Sequence, residues 1–152
     1  MTEVLIGTRK PSETNVAIAR KKIEDLDFST LNTTDKASNS IANLYALDLI
    51  ELAEYHTDYL GFPIQAIRIG EGTIGTLPGE IFSETGLKLK KTVSAKYYFT
   101  VGLANAYVGC IPPEAQFKLG GYETWLCTSS KMEVAADEKL RNALLDLISK
   151  LQ

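Results

Sequence analysis

Between Leu77 and Trp125 the chain carries three motifs, LPGE, GLANAY and GGYETW, each setting a carboxylate, amide or phenol beside a backbone-shaping glycine. The first follows an apolar, β-rich run (Thr73, Ile74, Thr76, Leu77) and precedes residues that read as a helix, so Glu80 is expected at a strand-to-helix junction. In an α/β sheet such junctions present chemistry, because the strand end fixes a side chain and the helix N-terminus favours its ionised form. Glu80 is therefore the first candidate site residue.

With 152 residues, 45% of them hydrophobic, the chain is long enough for one domain with a sizeable core, and a single domain over 1–152 is expected. The formal charge of -3 argues against a nucleic-acid partner, whose binding surface is ordinarily basic. Neither an apolar run of the roughly 20 residues a membrane span needs nor a signal-peptide pattern is visible, so the chain reads as soluble, without a transmembrane segment. Cys110 and Cys127 are the only cysteines; they permit one disulfide and make no CxxC signature, and the compartment stays open.

Val4 to Ile6 reads as a strand without an obvious hairpin partner, and an amphipathic helix is expected over Ser12 to Asp25. Asp27 to Asn39 reads as loop. Lys36 to Tyr55 has apolar residues on two stripes, predicting a helix buried on two sides. Phe62 to Ile69 and the run ending at Leu77 flank Gly70-Glu71-Gly72 as two strands of a hairpin. Gly70, Gly72 and Gly75 also spell GxGxxG, but a β-branched strand follows where a dinucleotide site needs a helix, so the glycines are assigned to the turn.

Ile81 to Lys91 predicts a helix with lysines in its last turn, and the alternation of Tyr97, Phe99 and Val101 within Ala95 to Leu103 predicts a strand. Ala104 to Leu126 reads as a long functional loop with a short helix over Pro113 to Lys118. Ser130 and Glu133 fit a capping box before a C-terminal helix whose stripe is Leu140, Leu144, Leu147, Ile148 and Leu151. These elements predict an α/β fold, a mixed sheet with packed helices.

Asn105, Tyr107, Tyr122 and Glu123 follow the next strand and are expected to converge with Glu80 on one strand-end pocket. The lone histidine, His56, falls where a helix ends and reads as a partner of its C-terminal dipole; no two-imidazole metal site can be built from one chain.

The order RIG, LPGE, helix, FTVGLAN, YVG, IP and GGYETW resembles the C-terminal part of the catalytic region of neutral/alkaline ceramidases and their bacterial homologues, most specifically from Gln65 to Trp125. The resemblance implies the C-terminal portion of a larger α/β hydrolase domain and a zinc-dependent amidase of sphingolipid metabolism that cleaves the amide of N-acylsphingosine. In that family zinc is held by two upstream histidines, a glutamate and a tyrosine. The glutamate position matches Glu80. The tyrosine position falls on Cys110, whose softer, shorter thiolate is still a zinc donor. Tyr122 matches a second tyrosine that can hydrogen-bond the amide oxygen or its tetrahedral intermediate, and Asn105, Tyr107 and Glu123 are expected to contact substrate.

The histidine motifs have no counterpart in this sequence. The resemblance therefore implies a chain with weak or no zinc binding, inactive alone, whose partners are the missing N-terminal part of the parent and a lipid amide. Family members are often exported. An open first strand and a wide apolar helix face from Ile41 to Leu52 predict a homo-oligomer. The competing class is a non-catalytic binding or assembly module in which Cys110 marks a lost metal site.

Overall fold

The computed structural model describes residues 1–24 and 38–151. The predicted loop Asp27 to Asn39 lies outside the described residues except for its last two, which begin a helix. The elements are β1 (Thr2–Gly7), α1 (Glu13–Ile23), α2 (Ser38–Glu54), β2 (Tyr59–Ile69), β3 (Gly72–Thr76), β4 (Glu80–Ile81), α3 (Ser83–Thr92), β5 (Tyr97–Val101), β6 (Cys110–Ile111), α4 (Glu114–Leu119), a 3-10 turn (Tyr122–Thr124) and α5 (Ala136–Ser149).

Four strands form a mixed sheet in the order β1-β2-β3-β5, antiparallel except for the parallel β3/β5 pair. The expected hairpin is β2/β3: Ile69 pairs with Gly72, and Gly70 takes a left-handed φ of 58° in the two-residue turn between them. β1 has no hairpin partner and stands at the edge of the sheet, as expected; its partner comes from beyond α2, because the 11-residue β2 outruns β3 and its first half takes all six residues of β1, from Thr2 opposite Ile64 to Gly7 opposite Tyr59.

One face of the sheet carries the core. Ile6, Phe62, Ile64 and Tyr98 meet Leu140, Leu144 and Ile148 of α5 and Leu89 of α3, all buried. Within β5 the alternation runs opposite to an apolar-inward reading: Tyr98 is buried, whereas Tyr97, Phe99 and Val101 face out. Gly75 gives Tyr98 and Leu144 their closeness, since a Cβ there would lie 2.6 Å from the Tyr98 hydroxyl and 2.8 Å from a Leu144 methyl.

Local expectations fare differently. α5 is not opened by a capping box: the Ser130 hydroxyl donates to the Glu123 carbonyl, and Glu133 accepts from the Gly7 N–H at 2.6 Å and from Lys139 at 2.7 Å. Both side chains serve long-range contacts in place of the local cap. α2 is buried on two sides as expected, Asn43 and Ala46 on one face and Leu52 on the opposite one, with Leu44, Leu47, Leu49 and Ile50 half-buried between them and Ile41 exposed. The loop from Ala104 to Leu126 holds the expected short helix, as α4, and adds β6 and the 3-10 turn to it.

Candidate functional site

Glu80 does not open a helix. Gly79, at φ 72°, turns the chain after Pro78, and the Glu80 N–H donates to the Gly109 carbonyl at 2.8 Å. This commits Glu80 to the short strand β4, which pairs in parallel with β6 so that Glu80 stands opposite Cys110. Helix α3 begins only at Ser83. The approach depends on two glycines: a Cβ on Gly79 would sit 2.6 Å from the Gly109 carbonyl oxygen, and one on Gly109, at φ 74°, only 1.9 Å from that of Ser129. No side chain larger than hydrogen fits either place.

Across this pairing the Cys110 thiol donates to Glu80 Oε2 at 3.0 Å. Burial, the hydrogen bond to Glu80 and that carboxylate's charge, with Glu123 and Cys127 adding to them, push the thiol pKa up to about 12. The thiol is therefore a protonated donor at neutral pH, not a free nucleophile. Cys127 is also buried, and both cysteines are reduced, so the disulfide that the count allowed is not formed.

Tyr107 projects into solvent beside the pair, and the Glu80 charge is the largest influence raising its phenol pKa, ahead of burial and the two cysteines. Tyr122 and Glu123 lie on the 3-10 turn packed against β6, Tyr122 exposed and Glu123 near enough to act on Cys110. Asn105 is held elsewhere: with φ at 69°, its amide donates to Thr76 Oγ1 at 3.2 Å and to Gln65 Oε1 at 3.5 Å, tying the loop to β2 and β3. His56 is two residues past α2, exposed, on a 680 Å³ cavity with Lys10 and Arg20 that includes neither Glu80 nor Cys110.

Two neighbours escaped the sequence reading. Tyr45 of α2 has its pKa raised by burial first, then by Cys127, Asp48, Cys110 and Tyr122, which places it over the cysteines. The Trp125 ring meets it edge-on, with centroids 5.2 Å apart, and Thr128 donates to Asp48 at 2.8 Å, so α2 is fastened onto the site loop. Tyr45 sits on an ordinary helical stripe, and no local signal separates it from core residues. Arg9 was likewise silent; it donates to the carbonyls of Met132 at 2.8 Å, Thr124 at 3.0 Å and Ser130 at 2.6 Å, and stacks over Phe117.

The fold of this chain is similar to that of neutral ceramidase from Pseudomonas aeruginosa, with a TM-score of 0.52 and 20% identity over 62% of this chain and 15% of that one. The fold is ceramidase-like. A second structure, ceramidase complexed with C2, matches with the same TM-score of 0.52, identity of 20% and coverage. The chain thus spans about 15% of the length of the ceramidase structures it matches. No family model matches the chain, and no curated protein does. Identity at this level speaks for the fold alone.

A carboxylate and a thiol are both donors that zinc accepts, and here they face each other. A catalytic zinc takes three protein ligands, however, and among the described residues no group of three or more His, Cys, Asp or Glu converges. Glu80 and Cys110 offer two of the donors that such a site would take.

Proposed function

We propose that this chain is the C-terminal portion of the catalytic region of a ceramidase-like hydrolase of N-acyl amides, inactive by itself. The observation that carries the reading is the Cys110–Glu80 contact, because the two positions that the family resemblance assigns to metal donors lie 30 residues apart in sequence and 3.0 Å apart in space. In this reading Glu80 and Cys110 supply a carboxylate and a thiolate to a zinc ion whose imidazole donors come from another stretch of polypeptide. The Tyr122 phenol donates to the amide carbonyl oxygen of the substrate, where negative charge grows during attack. Tyr107 and Glu123 contact substrate at the rim, and Asn105 sets the loop that carries Tyr107.

Cobalt(II), a spectroscopic stand-in for zinc, tests this with the chain as it is. Titrated with cobalt(II) in excess imidazole, which supplies the missing donors, the protein is expected to show a thiolate-to-cobalt charge-transfer band that Cys110→Ser abolishes and Glu80→Ala weakens. Without imidazole the band should be weak, and no N-acyl amide should be turned over. Absence of the band at saturating cobalt, or a band that survives Cys110→Ser, defeats the assignment.

The non-catalytic module is the second reading, and one observation favours it: the thiol keeps its proton and satisfies Glu80 without metal. Under that reading, Cys110→Ser leaves both metal uptake and stability unchanged, since a hydroxyl can replace the thiol as donor.

A further inference from the structure

We infer that the outer face of the sheet, built on β2, β3 and β5, is a docking surface for a second copy of this chain, the two sheets packing face to face. The inference is independent of the hydrolase reading. It starts from strand register. Ile67, Ile74 and Phe99 are paired across the three strands, as are Ile69, Gly72 and Tyr97, with Val101 beyond them opposite Thr76. Alternation places these rows on the side opposite Phe62, Ile64 and Tyr98, which face α5. That outer side is exposed: Ile69 is 68% accessible, Phe99 63% and Tyr97 55%.

Strands apolar on both faces belong to sheets covered on both faces, because a sheet with one wet face alternates apolar with polar residues. Between β2 and β5 the outward positions carry no charged side chain; the Lys96–Glu71 ion pair, at 2.8 Å, stands at the margin, as a polar rim would. The exposed apolar area of these rows is roughly 600 Å² per copy, so two copies would bury about 1,200 Å² together, the lower end of stable specific interfaces.

Shape favours a second copy as the occupant. Gly72 interrupts its row, and with Ile69, Ile74, Tyr97 and Phe99, together with Glu71 and Thr73, it lines a hollow of 410 Å³. Projecting aromatic rings thus stand beside a hollow on the same patch, and a two-fold axis between copies sets the ring of each into the hollow of the other. Two twisted sheets pack in this way about 10 Å apart.

Sedimentation velocity on the full chain over a concentration series tests the inference. A dimer is expected, with Phe99→Lys raising its dissociation constant at least a hundred-fold while far-UV circular dichroism stays that of the parent. Ile69→Lys, at the most exposed position of the patch, provides the same reading should Phe99→Lys fail to fold. Leu87→Lys, equally exposed but on α3, should leave the dimer intact. A chain monomeric throughout the series overturns the inference and leaves the face to a different polypeptide; so does a dimer that both sheet variants leave undisturbed, which would point to pairing through the edge of β1.

Discussion

The Cys110 thiol and the Glu80 carboxylate meet at 3.0 Å across a pair of two-residue strands, where Glu80 and Cys110 are register partners of β4 and β6. Backbone and side chain agree here. The N–H of Glu80 is bound by Gly109, and the N–H of Cys110 by Ser129, each at 2.8 Å, so both side chains are aimed by main chain on either side. If the proposed reading holds, the two donors are preformed, and a metal arriving with its other ligands would have only the thiol proton to displace.

That proton gives the first prediction. A thiol held up at about 12 has about a thousand-fold less thiolate at pH 8 than one at its ordinary value of 9.0, and should alkylate correspondingly slowly. Glu80→Gln removes the charge opposing ionisation and should speed iodoacetamide labelling of Cys110 several-fold at pH 8. For stability the sign follows from linkage: the folded pKa lies above the unfolded one, so the stabilising contribution is complete below pH 9.0 and is lost as pH rises towards about 12. Relative to Cys110→Ala, the parent should therefore lose stability across that window in urea melts. Equal pH dependence of the two proteins would show that the thiol is not shifted.

Two glycines with similar backbone strain should respond differently to alanine. Gly70 and Gly109 have φ of 58° and 74°, but a Cβ at Gly70 meets nothing within 4 Å, whereas at Gly109 it lies 1.9 Å from the Ser129 carbonyl. Gly70→Ala should cost about 1 kcal/mol, the strain of the left-handed conformation alone. Gly109→Ala should cost at least about 3 kcal/mol or prevent folding, because backbone must move, and β4/β6 pairing moves with it. Similar chemical-denaturation midpoints for the two variants would contradict the steric account.

Periodicity carried the long elements well: the β2/β3 hairpin, α1, β5 and the Leu140, Leu144, Ile148 stripe all rest on local patterns that burial enforces. What failed was set at long range. Local order reads Glu80 as a helix start because it cannot show that Gly109, far along the chain, takes its N–H. Ser130 and Glu133 spelled a cap, yet Glu123 and Gly7 claimed their side chains. The Glu80–Cys110 meeting was legible only through the family resemblance, while Tyr45 had no local signal, because a tyrosine on a helical stripe is the same residue whether it packs a core or meets a loop such as the one bearing Trp125.

Glu133 makes the fold acid-sensitive. Burial alone would raise its pKa, but the hydrogen bond from Lys139, the Gly7 N–H and the Lys139 charge outweigh burial and hold it below the ordinary 4.5. A depressed carboxylate stabilises above its unfolded pKa, and the contribution is lost as pH falls through the folded value. Glu133→Gln should therefore be less stable than the parent at neutral pH, with the difference shrinking below pH 4.5. Parallel stability curves between pH 3 and 7, a range of about four units around the ordinary carboxyl pKa, would refute this.

The last prediction concerns Arg9, which joins the N-terminal strand to the site loop. Its guanidinium reaches three carbonyls, those of Thr124, Ser130 and Met132, and the Ser130 hydroxyl at 3.1 Å, while its plane covers Phe117 at 4.9 Å. Burial lowers its pKa from 12.5, but an arginine stays charged, and the cluster of carbonyls compensates the lost water. Because Thr124 closes the turn bearing Tyr122 and Glu123, and Ser130 bridges Gly109 next to Cys110, this one side chain fixes both flanks of the Glu80–Cys110 contact. Arg9→Met should keep much of the packing on Phe117 yet leave the carbonyls unpaired, at a cost of about 3 kcal/mol. Arg9→Lys should recover little, since an ammonium cannot match the planar fork. Both variants should also speed Cys110 alkylation by loosening the loop, with labelling that exceeds the parent's even under conditions where all three proteins remain folded. If Arg9→Met unfolds at the parent's urea midpoint, the carbonyl cluster is satisfied by water and the strap is not a structural element at all.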